Sequence, residues 1–223
     1  MCITNSFELL HALKSLGIRA DERDANWWPN SMQFEVVVGA ILTQQTKWEK
    51  VEKSLENLKV EGLLSLEGVA GADIKCLQQL VKPSGFYNTK AKRLQQLCCN
   101  VIGDFGDFTT FQESVDRAWL LAQKGVGEES ADAILNYACG REVMVVDSYT
   151  QRLLAALGYS FDSYGEIQEW LQSGIAENLS RVAELYGTPL PLSTIYSRFH
   201  GKIVEYAKVH IRGKSVSIKE LCP

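Results

Sequence analysis

The chain has 223 residues, 46% of them hydrophobic and 22% charged, with a formal net charge of −4. That balance is ordinary for a soluble globular protein of one compact unit or two packed subdomains, and it argues against a generally basic nucleic-acid binder. No apolar run approaches the roughly 20 residues that span a bilayer. Met1 to Thr4 carries no basic segment ahead of an apolar stretch, so a cytoplasmic protein with no membrane contact is expected.

Helical periodicity dominates in chain order. Asn5 or Ser6 can cap a first helix with a stripe of Phe7, Leu10 and Leu13, ended by Gly17. Residues 21–30 are polar, contain Pro29 and read as a loop. Apolar helices are expected over 34–42, 48–58, 76–81 and 91–105, the last two separated by the turn Pro83-Ser84-Gly85. A helix pair over 111–123 and 129–140 flanks Lys124-Gly125-Val126-Gly127. Residues 143–146 are β-branched but have no evident partner, which suggests an extended, buried crossing. Helix resumes over 148–157, 164–186 and 192–210. The expected class is all-α.

The six cysteines, Cys2, Cys76, Cys98, Cys99, Cys139 and Cys222, form no CxxC pair and have no zinc-like spacing with the three histidines. Buried or free thiols are expected, with no metal and no other cofactor. Charge is unevenly placed. Residues 82–93 hold Lys82, Lys90, Lys92 and Arg93 without an acid, and residues 206–219 hold Lys208, Arg212, Lys214 and Lys219 without an acid. Each is either a solvated face or part of a focused phosphate-binding surface.

The most specific local signal is the hairpin from Leu121 to Leu135, where two glycines flank one apolar residue. They permit a tight turn and leave backbone N–H groups at a helix start, which suits a phosphate oxygen. Alone, this is equally an ordinary αα-hairpin. Followed by Val145-Val146-Asp147-Ser148-Tyr149, it resembles the helix-hairpin-helix DNA glycosylases of the endonuclease III superfamily, whose catalytic aspartate falls at that place. Leu42-Thr43-Gln44-Gln45-Thr46, Gly85-Phe86-Tyr87-Asn88-Thr89-Lys90-Ala91-Lys92 and Phe199-His200-Gly201-Lys202 extend the resemblance over nearly the whole chain.

The resemblance implies two helical subdomains: a six-helix barrel over 25–141 with the hairpin at about 115–140, and a second built from 1–24 and 142–223. Duplex DNA would lie at their junction, and the protein would act as a monomer. Lys90, Lys124, Gly125, Val126 and Gly127 would contact DNA, with Gln44 filling the gap left by an extruded base. Asp147 on its own reads as a helix N-cap. The resemblance makes it also the anion that stabilises oxocarbenium character on the sugar.

Three departures from the family pattern narrow the expectation. Glu129 stands where strand-cleaving members carry a Schiff-base lysine, so no lyase chemistry is expected. Glu205 stands where the first of four iron–sulfur cysteines would fall, and only Cys222 lies near the last, so no cluster is expected. Lys208, one turn on, can pair with Glu205 in place of part of that bracing.

Third, Trp27, Trp28 and Trp48 are either core residues or aromatic faces for a flat cationic base. A loop with two adjacent tryptophans cannot easily bury both on one side. Taken with the hairpin, these elements resemble the bacterial 3-methyladenine DNA glycosylase III group. That implies hydrolytic excision of alkylated purines, chiefly 3-methyladenine, with Trp28 and Trp48 on either side of the base and Trp27 and Glu129 at its pocket. The alternatives are a glycosylase for oxidised or mispaired bases and a non-catalytic helix-hairpin-helix DNA binder.

Overall fold

The protein is described here by a computed structural model over residues 3–18 and 25–222. Thirteen α-helices account for most of the described chain. They divide into two compact units: a central unit, Met32–Cys139, and a terminal unit made of Met1–Ser31 and Gly140–Pro223. The expected boundaries at 24/25 and 141/142 thus fall instead at 31/32 and 139/140, which puts Trp27 and Trp28 in the terminal unit. Residues 21–24 of the expected polar loop lie outside the described residues.

The central unit is built around α2 (Phe34–Leu42), in which every residue except Glu35 is buried. A helix apolar on all sides must be surrounded, and this one is. Of the other helices, α3 (Trp48–Val60), α6 (Tyr87–Phe105) and α9 (Glu128–Ala133) pack on it, α4 (Leu66–Gly71), α5 (Ile74–Leu80) and α7 (Phe108–Ser114) pack on α6, and α8 (Arg117–Ala122) packs on α9. Beyond α9 the backbone widens into a π-helical stretch, Ile134–Ala138. Phe105, Phe111 and Trp119 meet edge to face at 5.0–5.9 Å and close the end of the unit where α6, α7 and α8 converge.

The single helix expected over 111–123 is two. Val115 is extended, and Asp116 caps α8 by accepting the Trp119 N–H at 2.7 Å. The short helix α4 was not expected, because six residues are too few for periodicity to show. Its signal is the cap, Ser65 accepting from the Gly68 N–H.

The terminal unit packs α1 (Ser6–Ser15) against α11 (Tyr164–Ala176) and α13 (Leu192–His210), and α10 (Ser148–Ala156) against α13. Phe7, Leu10, Leu13, Leu153, Leu171, Phe199 and Ile203 form its core. The helix expected over 164–186 also divides. Asn178 leaves helical geometry and turns its amide back to the Gly174 carbonyl at 2.8 Å before α12 (Leu179–Tyr186). Gly174 lets α11 touch α1: a Cβ there would overlap the Ser6 hydroxyl and lie 2.8 Å from the Ser6 nitrogen.

After α13 comes a β-hairpin, β1 (Ile211–Arg212) paired with β2 (Ser215–Val216). The thiol expectation is corrected at one position. Cys222 is disulfide-bonded, while Cys76, Cys98, Cys99 and Cys139 are free. The tail carrying Cys222 is folded onto the core, with Leu221 buried in it, which fixes that sulfur in place. Among the described residues, no helix is long and apolar enough to cross a membrane.

Candidate active site

Asp147 follows the extended segment 143–146. That segment makes no strand because α11 supplies its partners. Gln168 Nε2 donates to the Met144 carbonyl at 2.7 Å, Gln172 Oε1 accepts the Met144 N–H at 3.0 Å, and Tyr164 Oη accepts the Val146 N–H at 3.2 Å. Met144, Val145 and Val146 are buried. Side chains on one helix therefore satisfy a buried backbone that periodicity left unpaired, and they deliver Asp147 to the start of α10.

The N-cap reading of Asp147 is met in its geometry. Oδ1 accepts the Thr150 N–H at 2.8 Å and the Thr150 hydroxyl at 2.9 Å, so the residue is the N-cap. Oδ2 lies 3.6 Å from His200 Nε2 on α13. Burial by itself would push the carboxyl up. The His200 imidazole and the two Thr150 donors outweigh it and hold the carboxyl below the usual carboxylate range. The outcome is an anion with one oxygen committed to the fold and the other turned toward an imidazole.

His200 leads to the tryptophans. Its ring meets Trp27 edge-on at 5.3 Å, and Trp27 meets Trp28 edge-on at 6.3 Å. Trp27 Nε1 donates to Glu205 Oε1 at 3.1 Å, and Lys208 Nζ lies 5.8 Å from the Trp27 ring centre. The expectation that adjacent tryptophans resist joint burial is corrected, since each is only 8% exposed. Trp27 takes a left-handed backbone, φ +66°, which turns its ring across that of Trp28 instead of to the opposite side.

Glu205 and Lys208 do pair, at 3.5 Å, but both side chains are more than a third exposed. Such a pair contributes little to stability, and Glu205 is equally engaged with Trp27. Firmer bracing comes from residues the sequence reading missed. Tyr206 Oη donates to the Ser217 carbonyl at 2.8 Å, and the His210 ring stacks on Tyr206 at 4.1 Å. Among the described residues there is no group of three or more His, Cys, Asp or Glu able to hold a metal.

The central unit holds the hairpin. Val126 is buried as its anchor, and Gly125 takes φ +88°, a conformation that disfavours any side chain. Gly127 caps α9 with open space where a side chain would stand, and Lys124 is exposed. The Val126 N–H is tied back to the Gln123 carbonyl at 3.1 Å, which holds the turn on a rigid base. Arg117 locks the second helix, reaching buried Asp132 at 2.8 Å and Glu128 at 3.4 Å. The Arg93 side chain packs on Gly125. Glu129 is exposed in the first turn of α9, and Trp48 opens α3.

Two of the residues expected at DNA make bonds within the fold. The Gln44 amide donates to the Gly125 carbonyl at 2.9 Å and to Ser130 Oγ at 3.0 Å, so it steadies the hairpin. Its neighbour Gln45 is exposed at φ +53°. Lys90 is only 3% exposed; its ammonium donates to the Leu42 and Ser84 carbonyls and to Thr46 Oγ1 at 2.7–2.9 Å. Burial pushes it down to about 8. Lys90 is a clamp rather than a surface cation, and it ties the turn carrying Gln45 to the turn carrying Phe86. Phe86 was missed by the sequence reading, yet it is 70% exposed at φ +45°. A strained, exposed aromatic is a functional signal that composition cannot carry.

Comparison with known proteins agrees with this geometry. The HhH-GPD superfamily of base excision DNA repair proteins matches residues 38–177. A crystal structure of the H. pylori 3-methyladenine DNA glycosylase MagIII, bound to 1,N6-ethenoadenine, is 47% identical, with a TM-score of 0.90 over 94% of this chain and 100% of that one. A Methanocaldococcus jannaschii protein named provisionally as a DNA repair glycosylase is 36% identical over 98% of this chain and 97% of its own length. Endonuclease III bound to DNA shares the fold at a TM-score of 0.72 and 20% identity.

Proposed function

Because the chain belongs to the HhH-GPD superfamily and is a DNA glycosylase of base excision repair, we propose that it hydrolyses the glycosidic bond of alkylated purines, chiefly 3-methyladenine, without cleaving the strand. The observation that carries this reading is Asp147. It is a mostly buried carboxylate kept ionised, with one oxygen capping α10 and the other facing the His200 imidazole.

As the base departs, positive charge develops on the sugar. A fixed anion nearby lowers that barrier, and it can orient or deprotonate the attacking water. An alkylated purine such as 3-methyladenine already carries a positive charge, so it leaves without being protonated by the enzyme. In the terminal unit Trp28, packed edge-on against Trp27, is an aromatic candidate for stacking on a flat cation, and in the central unit Trp48 is another. Glu129 supplies a carboxylate near the hairpin and cannot form an imine, so the reaction passes through water alone. Lys124, Gly125, Val126 and Gly127 hold a phosphate without reading sequence. Base extrusion costs a few kcal/mol. Gln45 and Phe86, held out by strained backbone, are the side chains available to occupy the vacancy.

The test is to incubate methylated duplex DNA with the wild type and with Asp147→Asn, then to identify the released bases by chromatography. Release of 3-methyladenine by the wild type alone is expected. Thymine glycol or mismatched-base release in its place would move the activity to another base class, and tight abasic-site binding with no excision would make the protein a binder. Borohydride should trap no covalent DNA adduct.

A further inference from the structure

The two oxygens of Asp147 are held by different means. Oδ1 takes both Thr150 donors and is committed to capping α10. Oδ2 faces His200 Nε2 at 3.6 Å, with the two side chains only 14% and 4% exposed. That distance is too long for a hydrogen bond. Catalytic contacts are often loose in a free enzyme and tighten only when substrate is bound.

Resting on the reading of Asp147 as the catalytic anion, we propose that His200 is a positioning residue for the reaction. Its imidazole fixes the uncapped oxygen of Asp147, and its ring ties that oxygen to Trp27. Three features of the surroundings favour this over simple core filling. Residues 143–146 and Thr150 already anchor the Asp147 backbone and Oδ1, so His200 is the side chain in position to control Oδ2. The ring lies edge-on to Trp27 at 5.3 Å, and the Trp27 indole N–H is held by Glu205 at 3.1 Å. Of the charged groups on α13, Glu205 and Lys208 contact Trp27 and each other, Arg198 donates to the Ala25 carbonyl at 2.8 Å, and Lys202 donates to the Ile18 carbonyl at 2.8 Å. A carboxylate in so sheltered a place, without a partner at Oδ2, would take up a proton more readily and could rotate its second oxygen off the sugar.

The experiment compares wild type with His200→Phe, His200→Gln and Asp147→Asn. Phenylalanine keeps the ring that packs on Trp27 but has no N–H, whereas glutamine keeps an N–H donor without the ring. Each protein is assayed for single-turnover excision across pH and for affinity toward an uncleavable abasic-site duplex. The titration of the Asp147 carboxyl is followed by carbon-13 NMR in the free protein.

His200→Phe is expected to lose about tenfold in excision rate, to raise the Asp147 titration and carry the acid limb of the rate with it, and to bind the abasic duplex as wild type does. His200→Gln should recover part of the rate. An Asp147 titration and acid limb unmoved in His200→Phe would overturn the proposal, as would a glutamine variant no better than the phenylalanine one. A fully active Asp147→Asn would instead sink the catalytic reading. The NMR titration would still report whether His200 holds Asp147.

Discussion

Lys90 in the central unit and Asp147 in the terminal unit are both charged groups largely withdrawn from solvent, and the two are used in opposite ways. In the central unit Lys90 spends every donor on the fold: two backbone carbonyls and a hydroxyl surround it. What that unit shows the solvent is backbone at Gly125 and Gly127 and the side chains of Lys124, Gln45 and Phe86. In the terminal unit Asp147 commits only half of itself, and its second oxygen faces an imidazole instead of a structural donor. A buried charge whose partners are all taken is architecture; one with an uncommitted atom is available for chemistry. The comparison can be tested one residue at a time.

The largest effect belongs to Asp147→Asn. Asparagine caps a helix as well as aspartate, so the variant should fold, giving up only the stability that the depressed carboxyl contributes. Excision of 3-methyladenine in single-turnover assays should fall by roughly a hundredfold or more. The pH dependence follows from the depressed carboxyl. Asp147 contributes stability above its unfolded titration point, and that contribution is lost only as pH falls through the lower folded value. Excision should therefore hold its rate down through the ordinary carboxylate range near pH 4 and fail only below it. A rate that collapses well above that range would contradict an ionised, protected anion.

Lys90→Met should reverse the pattern, with chemistry spared and the fold weakened. Three buried acceptors would lose their donor, at about 3 kcal/mol in urea unfolding. Because burial pushes Lys90 down to about 8, the folded state binds its proton less readily than the unfolded chain. The wild type should gain stability as pH rises above that value, and the methionine variant should not. A methionine variant of wild-type stability would remove Lys90 from the architecture.

Gly125→Ala comes next. A side chain at φ +88° and against Arg93 should cost about 1 kcal/mol of stability. Affinity for undamaged duplex should fall several-fold, measured by fluorescence anisotropy, while base release from DNA already bound is spared. Smallest is Lys208→Ala. Its exposed pairing with Glu205 should be worth less than about 0.5 kcal/mol, and a larger loss by thermal unfolding would restore the pair as the principal brace of that region.

Much of the molecule is legible in its residue pattern, because the governing forces there are local. The apolar run over 34–42 and the stripe of α13 announce their helices. Two glycines around Val126 announce the hairpin, and Glu129 and Glu205 stand where the resemblance would place a lysine and a cysteine. Asp147 could be placed at a helix start from sequence alone, since capping is a short-range affair.

Tertiary structure decided the rest. Gln44 and Gln45 are chemically identical and adjacent, and only the backbone at φ +53° turns Gln45 outward while the hairpin takes the Gln44 amide. Lys90 sits in a basic stretch and reads as a surface cation until carbonyls from two distant turns close over it. Tryptophans 27 and 28 become buried through one left-handed residue. The aspartate itself changed most. Sequence made it a cap, the family resemblance made it a candidate anion, and His200 gave it a partner from 53 positions further along the chain. Periodicity and caps are set within a few residues, whereas the state of a buried charge depends on whatever the fold brings within a few ångströms of it.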